Sequence, residues 1–291
     1  MLKQALRSLR GNPGRSILTG LAVMLGVAFV VGAFVLGDMI NKAFDDIFTE
    51  AGAGTDAVVQ VVGATPDDQP LFDDDILVTI RGIEGVAAAE GSVFKDQVVI
   101  LDKGREGLGG NGPPQFGANW AIDAEINAFS IVDGRPPEAP DEVVINVASA
   151  EDAGFTIGVS IEVAPTDAAR EFTHVGTAEF AAEIQGATFA LFETTASQDI
   201  LDSPGQFNTI SARADDGVSQ EVLTRRIAEA LPENLEAVTG IQSTQDQIAS
   251  IQSDLGFFRN FFLGFAAVAL LVASFVIFNT FLIIVAQRSK Q

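Results

Sequence analysis

The chain has 291 residues, 47% of them hydrophobic, no cysteine and a formal net charge of −22 at pH 7. Residues 38–259 hold all 39 Asp and Glu against 11 basic residues, a local balance of −28, whereas Lys3, Arg7, Arg10 and Arg15 stand before them and Arg288 and Lys290 after. A field of that sign excludes nucleic acid or an anionic lipid surface as partner of the acidic part; without thiols there is no disulfide framework, and the core alone must hold the fold.

Residues 2–10 read as a short amphipathic helix: Leu2, Ala5, Leu6 and Leu9 share one face and Lys3, Arg7 and Arg10 the other. That pattern suits a helix lying on an inner leaflet. Asn12 and Pro13 fit the N-cap and first position of the next helix. Residues 16–37 carry no charge, and roughly 20 apolar residues suffice to span a bilayer. The run is too long for a signal-peptide core and has no clear cleavage site. Its apolar seam continues past the bilayer through Ala22, Gly26, Phe29, Ala33, Leu36, Ile40, Ala43 and Ile47, with Asp38, Lys42, Asp45, Asp46 and Glu50 off it. The helix is therefore expected to run on as a stalk and to end at Ala51 and Gly52. Ala22, Gly26, Ala33 and Gly37 make a stripe that lets another helix approach closely.

Beyond the stalk the period shifts to strands and short helices. Residues 56–62 read as a strand, 74–81 as a helix and 86–101 as a long strand or bent pair. The order recurs downstream: strand 207–213, helix 219–230, strand 235–239. Two separated β-α-β units can share one sheet in a ferredoxin-like arrangement. The intervening segment, about 112–204, reads as a β-rich inserted subdomain, entered through a flexible glycine-rich loop at 104–114.

A second rod follows. Ser243 to Asp246 fits a capping box, and Ile248, Ile251, Leu255, Phe258, Phe262, Phe265 and Ala269 keep heptad spacing into the uncharged run 260–287. Asn279 falls on the same seam, where a buried amide either couples helices or makes one packing hydrogen bond. The alternative is two independent anchors with short stalks. The layout is then an amphipathic helix (1–15), a span with stalk (16–50), an extracytoplasmic α+β domain (51–242), a stalk with a second span (243–287) and a short tail (288–291). Basic flanks stay in the cytoplasm, which puts residues 38–259 outside.

The inventory of reactive groups is poor. Gly107, Gly109 and Gly112 satisfy G-x-G-x-x-G, but Pro113 and Pro114 follow, so no helix start can meet a pyrophosphate. Gly52-Ala53-Gly54 lies between a helix and a strand, the wrong order for a nucleotide site. There is no G-x-x-x-x-G-K-[ST] and hence no P-loop. His174, the one histidine, is expected to be an exposed strand residue rather than a metal ligand. Asp73, Asp74 and Asp75 are expected to serve the dipole of the helix they precede. No nucleophile–base–acid set can be assembled. The expectation is a protein with no catalytic residues, no metal and no cofactor.

Seven short segments carry a resemblance. Residues 5–13 (ALRSLRGNP) to 26–30 (GVAFV), residues 134–137 (GRPP) with 141–146 (DEVVIN) and 154–158 (GFTIG), and residues 278–281 (FNTF) to 285–288 (VAQR) occur in this order. In that order they resemble the MacB/FtsX/LolC-type permease subunits of ABC transporters, over the whole chain. The resemblance implies a MacB-like periplasmic core domain followed by the start of an FtsX-like permease region. It further implies a separate cytoplasmic ATPase, another permease half or copy, and motion transmitted from membrane to outer domain through the stalks. In that family the chain continues into a coupling helix, so this sequence is expected to stop before it. The lever residues it implies are Ala22, Gly26, Ala33, Leu36, Ile40, Ile47, Ile248, Ile251, Leu255, Phe258 and Asn279. Two other classes stay open at this point, a two-span receptor with an extracytoplasmic sensor domain and, less favoured by the reactive groups, a membrane-anchored enzyme.

Overall fold

The computed structural model describes residues 13–250 except 67, 111, 112, 166, 167, 182, 183 and 185, and beyond them 252, 261, 264, 265, 267, 268, 271, 272, 274, 275, 278, 279 and 282. The side chains at 13–19, 22, 23, 25, 33 and 36 are outside this description. The expected amphipathic helix at 2–10, Asn12, and the seam positions Ile251, Leu255, Phe258, Phe262 and Ala269 lie outside the described residues. So do the side chains of Ala22, Ala33 and Leu36. The described residues fall in two compact units, Asp45–Ser250 and the residues flanking it on either side.

The flanking unit is helical. Helix α1 (Pro13–Ala51) has no acid in its first turn and exposes Met24, Val27, Val31, Phe34 and Val35. Among the described residues, the stretch Gly26–Ala51 is long and apolar enough to cross a membrane. The described residues between 252 and 282 are helical too. Phe29 on α1 and Phe265 bring their rings to 5.6 Å, tilted by 56°, a productive aromatic geometry.

The unit Asp45–Ser250 holds two main sheets. The first takes β1 (Ala57–Val61), β3 (Val86–Ser92), β13 (Thr209–Ala214) and β14 (Leu235–Thr239) in the order β14-β1-β13-β3, every pair antiparallel. Helix α2 (Ile76–Arg81) joins β1 to β3, after the short β2 (Phe72–Asp73) that pairs with β12 (Gln206–Phe207). Helix α5 (Gln220–Ala230) joins β13 to β14. This is the strand order of two interleaved β-α-β units. Helix α5 starts where the Ser219 hydroxyl accepts from Val222 N–H at 3.4 Å, and buries Leu223 and Ile227, one turn apart.

The second sheet contains β4 (Phe94–Asp96), β5 (Val99–Leu101), β6 (Gln115–Asn119), β7 (Phe129–Gly134), β8 (Glu142–Asn146), β9 (Ser160–Ala164), β10 (Arg170–Phe180) and β11 (Thr188–Phe192). Its order is β4-β6-β11-β8-β10-β9-β5, with β7 beside β10. Only Gln97 and Val98 separate β4 from β5, yet these strands occupy opposite ends of the order. The two ends must therefore meet, and the sheet curls. Helices α3 (Val147–Ala153) and α4 (Thr194–Ile200) put Ala150, Ala196 and Ile200 into the core on the inner side. Alternation along the strands sends Val143, Ile145, Ala190 and Phe192 inward to the main cluster, and Val144 and Leu191 outward to a smaller one.

Residues 86–101 thus form three strands in two sheets rather than one long strand or a bent pair. The break at Val93 has a cause: its N–H turns from the ladder to the Asn119 side-chain oxygen at 2.8 Å. The curled sheet accordingly begins at Phe94, ahead of the expected start near 112. Ala57, Val59 and Ile210 of the first sheet and Ile100 and Val143 of the second share one apolar cluster.

The turn between β7 and β8 closes on a charge pair. Arg135 binds both carboxylate oxygens of Glu142, one at 2.7 Å, and Glu142 also accepts from the Glu138 and Ala139 N–H groups. The Arg135 guanidinium, ahead of those amides, pulls the Glu142 carboxyl down from 4.5 to about 2. A carboxyl lowered on folding stabilises the native state above its ordinary value and loses that effect as pH falls through the lowered one. Glu142→Gln should therefore lower the melting temperature at neutral pH, with the gap to the parent closing between pH 4.5 and about 2. A gap of constant size over that range would show that the pair does not carry the difference.

Candidate functional site

The chain enters and leaves the first sheet at one point. Strands β1 and β14 are hydrogen-bonded neighbours with Ala57 opposite Thr239. Helix α1 ends five residues before Asp56, and residues 240–250 are helical directly after β14. The expected capping box at Ser243 is corrected here. Thr239 at the strand end accepts from Gln242 N–H at 3.1 Å, so the helix begins earlier and Ser243 falls within it, receiving Gln247 instead.

The join is tight. Thr55 N–H donates to Gly52 O at 3.0 Å, Gly240 N–H to Asp56 O at 2.9 Å and Asp56 N–H to Ala212 O at 2.9 Å. The Asp56 carboxylate accepts from Ala214 N–H at 2.8 Å. Two glycines are required by close approach of backbone. A Cβ on Gly240 would sit 1.9 Å from Thr55 O, and one on Gly54 would sit 1.6 Å from Glu125 O. A Cβ on Gly52 would lie 2.9 Å from the Thr244 hydroxyl, so the end of α1 and the first turn of the 240–250 helix are in contact.

Glu125 belongs to the turn between β6 and β7, and charge fixes that turn to the first sheet. Arg213 on β13 donates to Asp123 at 3.0 Å and lies 3.7 Å from Glu125. Asp123 also accepts from the Glu125 and Ile126 N–H groups. The Arg213 hydrogen bond, foremost among these, holds the Asp123 carboxyl below its ordinary value and raises Arg213 in turn. Asp123 N–H donates to Glu90 at 3.2 Å, and Glu90 meets Arg81 at 3.5 Å. One polar chain thus runs from α2 through β3 and the β6–β7 turn to β13, beside the glycine turn. It holds the curled sheet to β3 and β13, and β13 lies beside the β1 and β14 pair from which both helices leave.

The anticipated residues are placed as follows. Gly26 is buried, Ile40, Ile47 and Ile248 are half-buried, and Ala43 and Asn279 are exposed. Arg213, Asp123, Asp56 and Gly240 did not stand out in the sequence, and Gly54 did so only within Gly52-Ala53-Gly54, as a rejected nucleotide loop. The available signal was Arg213, one base in the otherwise small and uncharged strand TISARA of a domain poor in bases.

Three further expectations are settled here. His174 is fully buried, not exposed: its Nδ1 lies 3.1 Å from Thr156 O and its Nε2 2.9 Å from Gly176 O. Each ring nitrogen faces a carbonyl oxygen, so whichever of them carries the proton has an acceptor in place. Asp74 accepts from Gln198 at 3.0 Å, while Asp75 caps α2 without a side-chain hydrogen bond. Gly109 and Gly110 take left-handed turns that lead to β6, not to a helix. Among the described residues no group of three or more His, Asp or Glu could hold a metal ion.

Residues 16–230 match the family of the MacB-like periplasmic core domain. An uncharacterized ABC transporter permease of Methanocaldococcus jannaschii, MJ1507, is 22% identical over 98% of this chain and 72% of its own length. The periplasmic region of MacB from Actinobacillus actinomycetemcomitans aligns with a TM-score of 0.49 at 13% identity, covering 67% of this chain and 93% of that one. The extracellular domain of a noncanonic ABC-type transporter, YknZ, from Gram-positive bacteria aligns with a TM-score of 0.45 at 12% identity, covering 63% and 99%.

Proposed function

The chain belongs to the MacB-like periplasmic core domain family of ABC transporter permeases, and on that premise we propose that it is a permease subunit of the mechanotransmission type. It performs no chemistry itself. A separate cytoplasmic ATPase drives it, together with a second permease half or copy. Both termini are cytoplasmic, residues 16–37 and 260–287 cross the membrane, and the α+β domain lies outside. The two seams pack into a stiff pair just outside the bilayer, and displacement of that pair moves the domain.

The observation that carries this reading is the shared point of departure at β1 and β14. Two helices leaving neighbouring strands through a glycine turn form a rigid attachment, whereas a flexible linker would dissipate a displacement. Left in water, the apolar seams would expose surface worth roughly 25 cal/mol per Å².

Two measurements test the reading. The chain has no cysteine, so Ser8→Cys, Asp216→Cys and Lys290→Cys each give a unique label position. An impermeant maleimide on intact cells should label only position 216; labelling at 8 or 290 would overturn the topology. For the lever, Ile40→Asp is compared with the off-seam control Asp45→Asn in the transporter assembled with its ATPase. Ile40→Asp should uncouple ATP turnover from changes in the outer domain. Equal coupling in both variants would sink the lever reading and leave the topology standing.

A further inference from the structure

The turn that joins α1 to β1 is made of residues that do not fix its direction. Ala51, Gly52, Ala53 and Gly54 carry nothing larger than a methyl group, so the turn brings no side-chain packing of its own. Its internal hydrogen bonds, Gly52 N–H to Phe48 O at 3.0 Å, Ala53 N–H to Glu50 O at 3.3 Å and Thr55 N–H to Gly52 O at 3.0 Å, set its shape but reach no other element. Glycine has the freest backbone, and hinges are a few positions of this kind at the end of an element. Two contacts from elsewhere in the domain hold the segment. A Cβ on Gly52 would lie 2.9 Å from the Thr244 hydroxyl, and a Cβ on Gly54 would lie 1.6 Å from the Glu125 carbonyl oxygen.

The Glu125 contact is held by charge. The β6–β7 turn is drawn tight by Asp123, which accepts from the Glu125 and Ile126 N–H groups, and by Asn127, which donates to Ala121 O at 2.8 Å. Arg213 fastens this turn to the first sheet through Asp123 at 3.0 Å. Its Nε is buried and makes no hydrogen bond among the described residues, with the Glu125 carboxylate 3.7 Å away. A buried donor left without an acceptor is costly, and this one faces the residue whose carbonyl meets Gly54.

We propose that Gly52-Ala53-Gly54 is a hinge braced by the β6–β7 turn, and that Arg213 is the positioning residue that keeps the brace in place. The missing side chain at Gly54 serves both ends: it makes the segment pliable, and it lets the Glu125 carbonyl come close enough to stop it. Withdrawal of the β6–β7 turn frees the end of α1 to change its angle against the first sheet. The inference rests on the coupling reading for its use, since it gives the reason that a glycine turn can pass on a displacement. Its test needs neither ATP nor the ATPase, so each can fail alone.

The chain has no cysteine, so Asp46→Cys on α1 and Glu229→Cys on α5, both exposed, take a pair of spin labels that reports this angle. Distances are read by double electron–electron resonance on the full chain in zwitterionic nanodiscs. Arg213→Met should widen the distance distribution about twofold, and Arg213→Lys, which keeps a cation beside Asp123, should stay near the parent. Asp123→Asn, which keeps an acceptor for the amides of its own turn, should fall between. Glu142→Gln loses a charge pair away from the junction and controls for lost stability; it should leave the distribution unchanged. A width equal to the parent's in whichever of Arg213→Met and Asp123→Asn folds would overturn the proposal, and so would equal widening in Glu142→Gln.

Discussion

Gly240→Ala should lower the stability of the domain by about 3 kcal/mol, the upper end of ordinary overpacking costs. The new Cβ would sit 1.9 Å from the Thr55 carbonyl oxygen, which cannot move without breaking the turn from Gly52 to Asp56. Gly54→Ala should behave alike, because its Cβ would fall 1.6 Å from the Glu125 carbonyl oxygen. For a domain of this size each kcal/mol shifts the melting temperature by roughly 2–4 °C, so thermal unfolding of the purified chain should show a drop of about 6–12 °C. Gly32→Ala is the control, with nothing within 4 Å of its added Cβ. In a helix that change should be neutral or stabilising by up to about 1 kcal/mol. Junction variants that melt with the parent would show that the turn yields, and a yielding turn cannot serve as a rigid attachment.

Phe192→Ala is expected to cost about 3–5 kcal/mol. Phe192 is fully buried among the inward residues of β11 and meets Phe172 at a ring distance of 5.0 Å. The lost transfer energy and the cavity add, because the residues around it are held by both sheets and collapse poorly. One apolar cluster runs through both sheets, so the loss should appear as a single earlier transition. Chemical unfolding followed by the signal of the lone tryptophan, Trp120, would check this. Two separated transitions would mean that the curled sheet unfolds on its own.

The elements nearest to sequence were those with one strong local cause. Strand AVVQV is β-branched and alternates poorly because both its faces are covered, and helix α5 announces itself by Ser219 and by Leu223 and Ile227 one turn apart. The resemblance to a permease with a periplasmic core domain was legible from seven short segments in order. The partition of residues 86–101 was not, because Val93 leaves its ladder for Asn119, a residue 26 positions away. His174 looked like a solvent-facing strand position, and its burial goes with the Thr156 carbonyl brought from the turn before β9 and the Gly176 carbonyl of its own strand. The junction was hidden for the same reason. Gly54, Glu125, Arg213 and Gly240 are far apart in the chain and meet only once the first sheet has closed, so no window of sequence contains them together.

The order β14-β1-β13-β3 also governs how this domain comes into being. Val58 of β1 finds Ser211 of β13 and Val238 of β14 as its lateral neighbours, more than 150 residues later in each case. A chain delivered at about 5–20 residues per second leaves such a strand without either neighbour for about 8–30 s. Closing loops of that length is entropically costly before any pairing rewards it, which makes folding slow. During that interval an apolar five-residue strand stands with both edges open, a template for the wrong chain. The curled sheet, whose strands lie between β3 and β12, can pair first. Its completion would draw β3 and β13 towards each other and shorten the wait, so the order of assembly runs from the inserted segment outward to the strands that carry the helices.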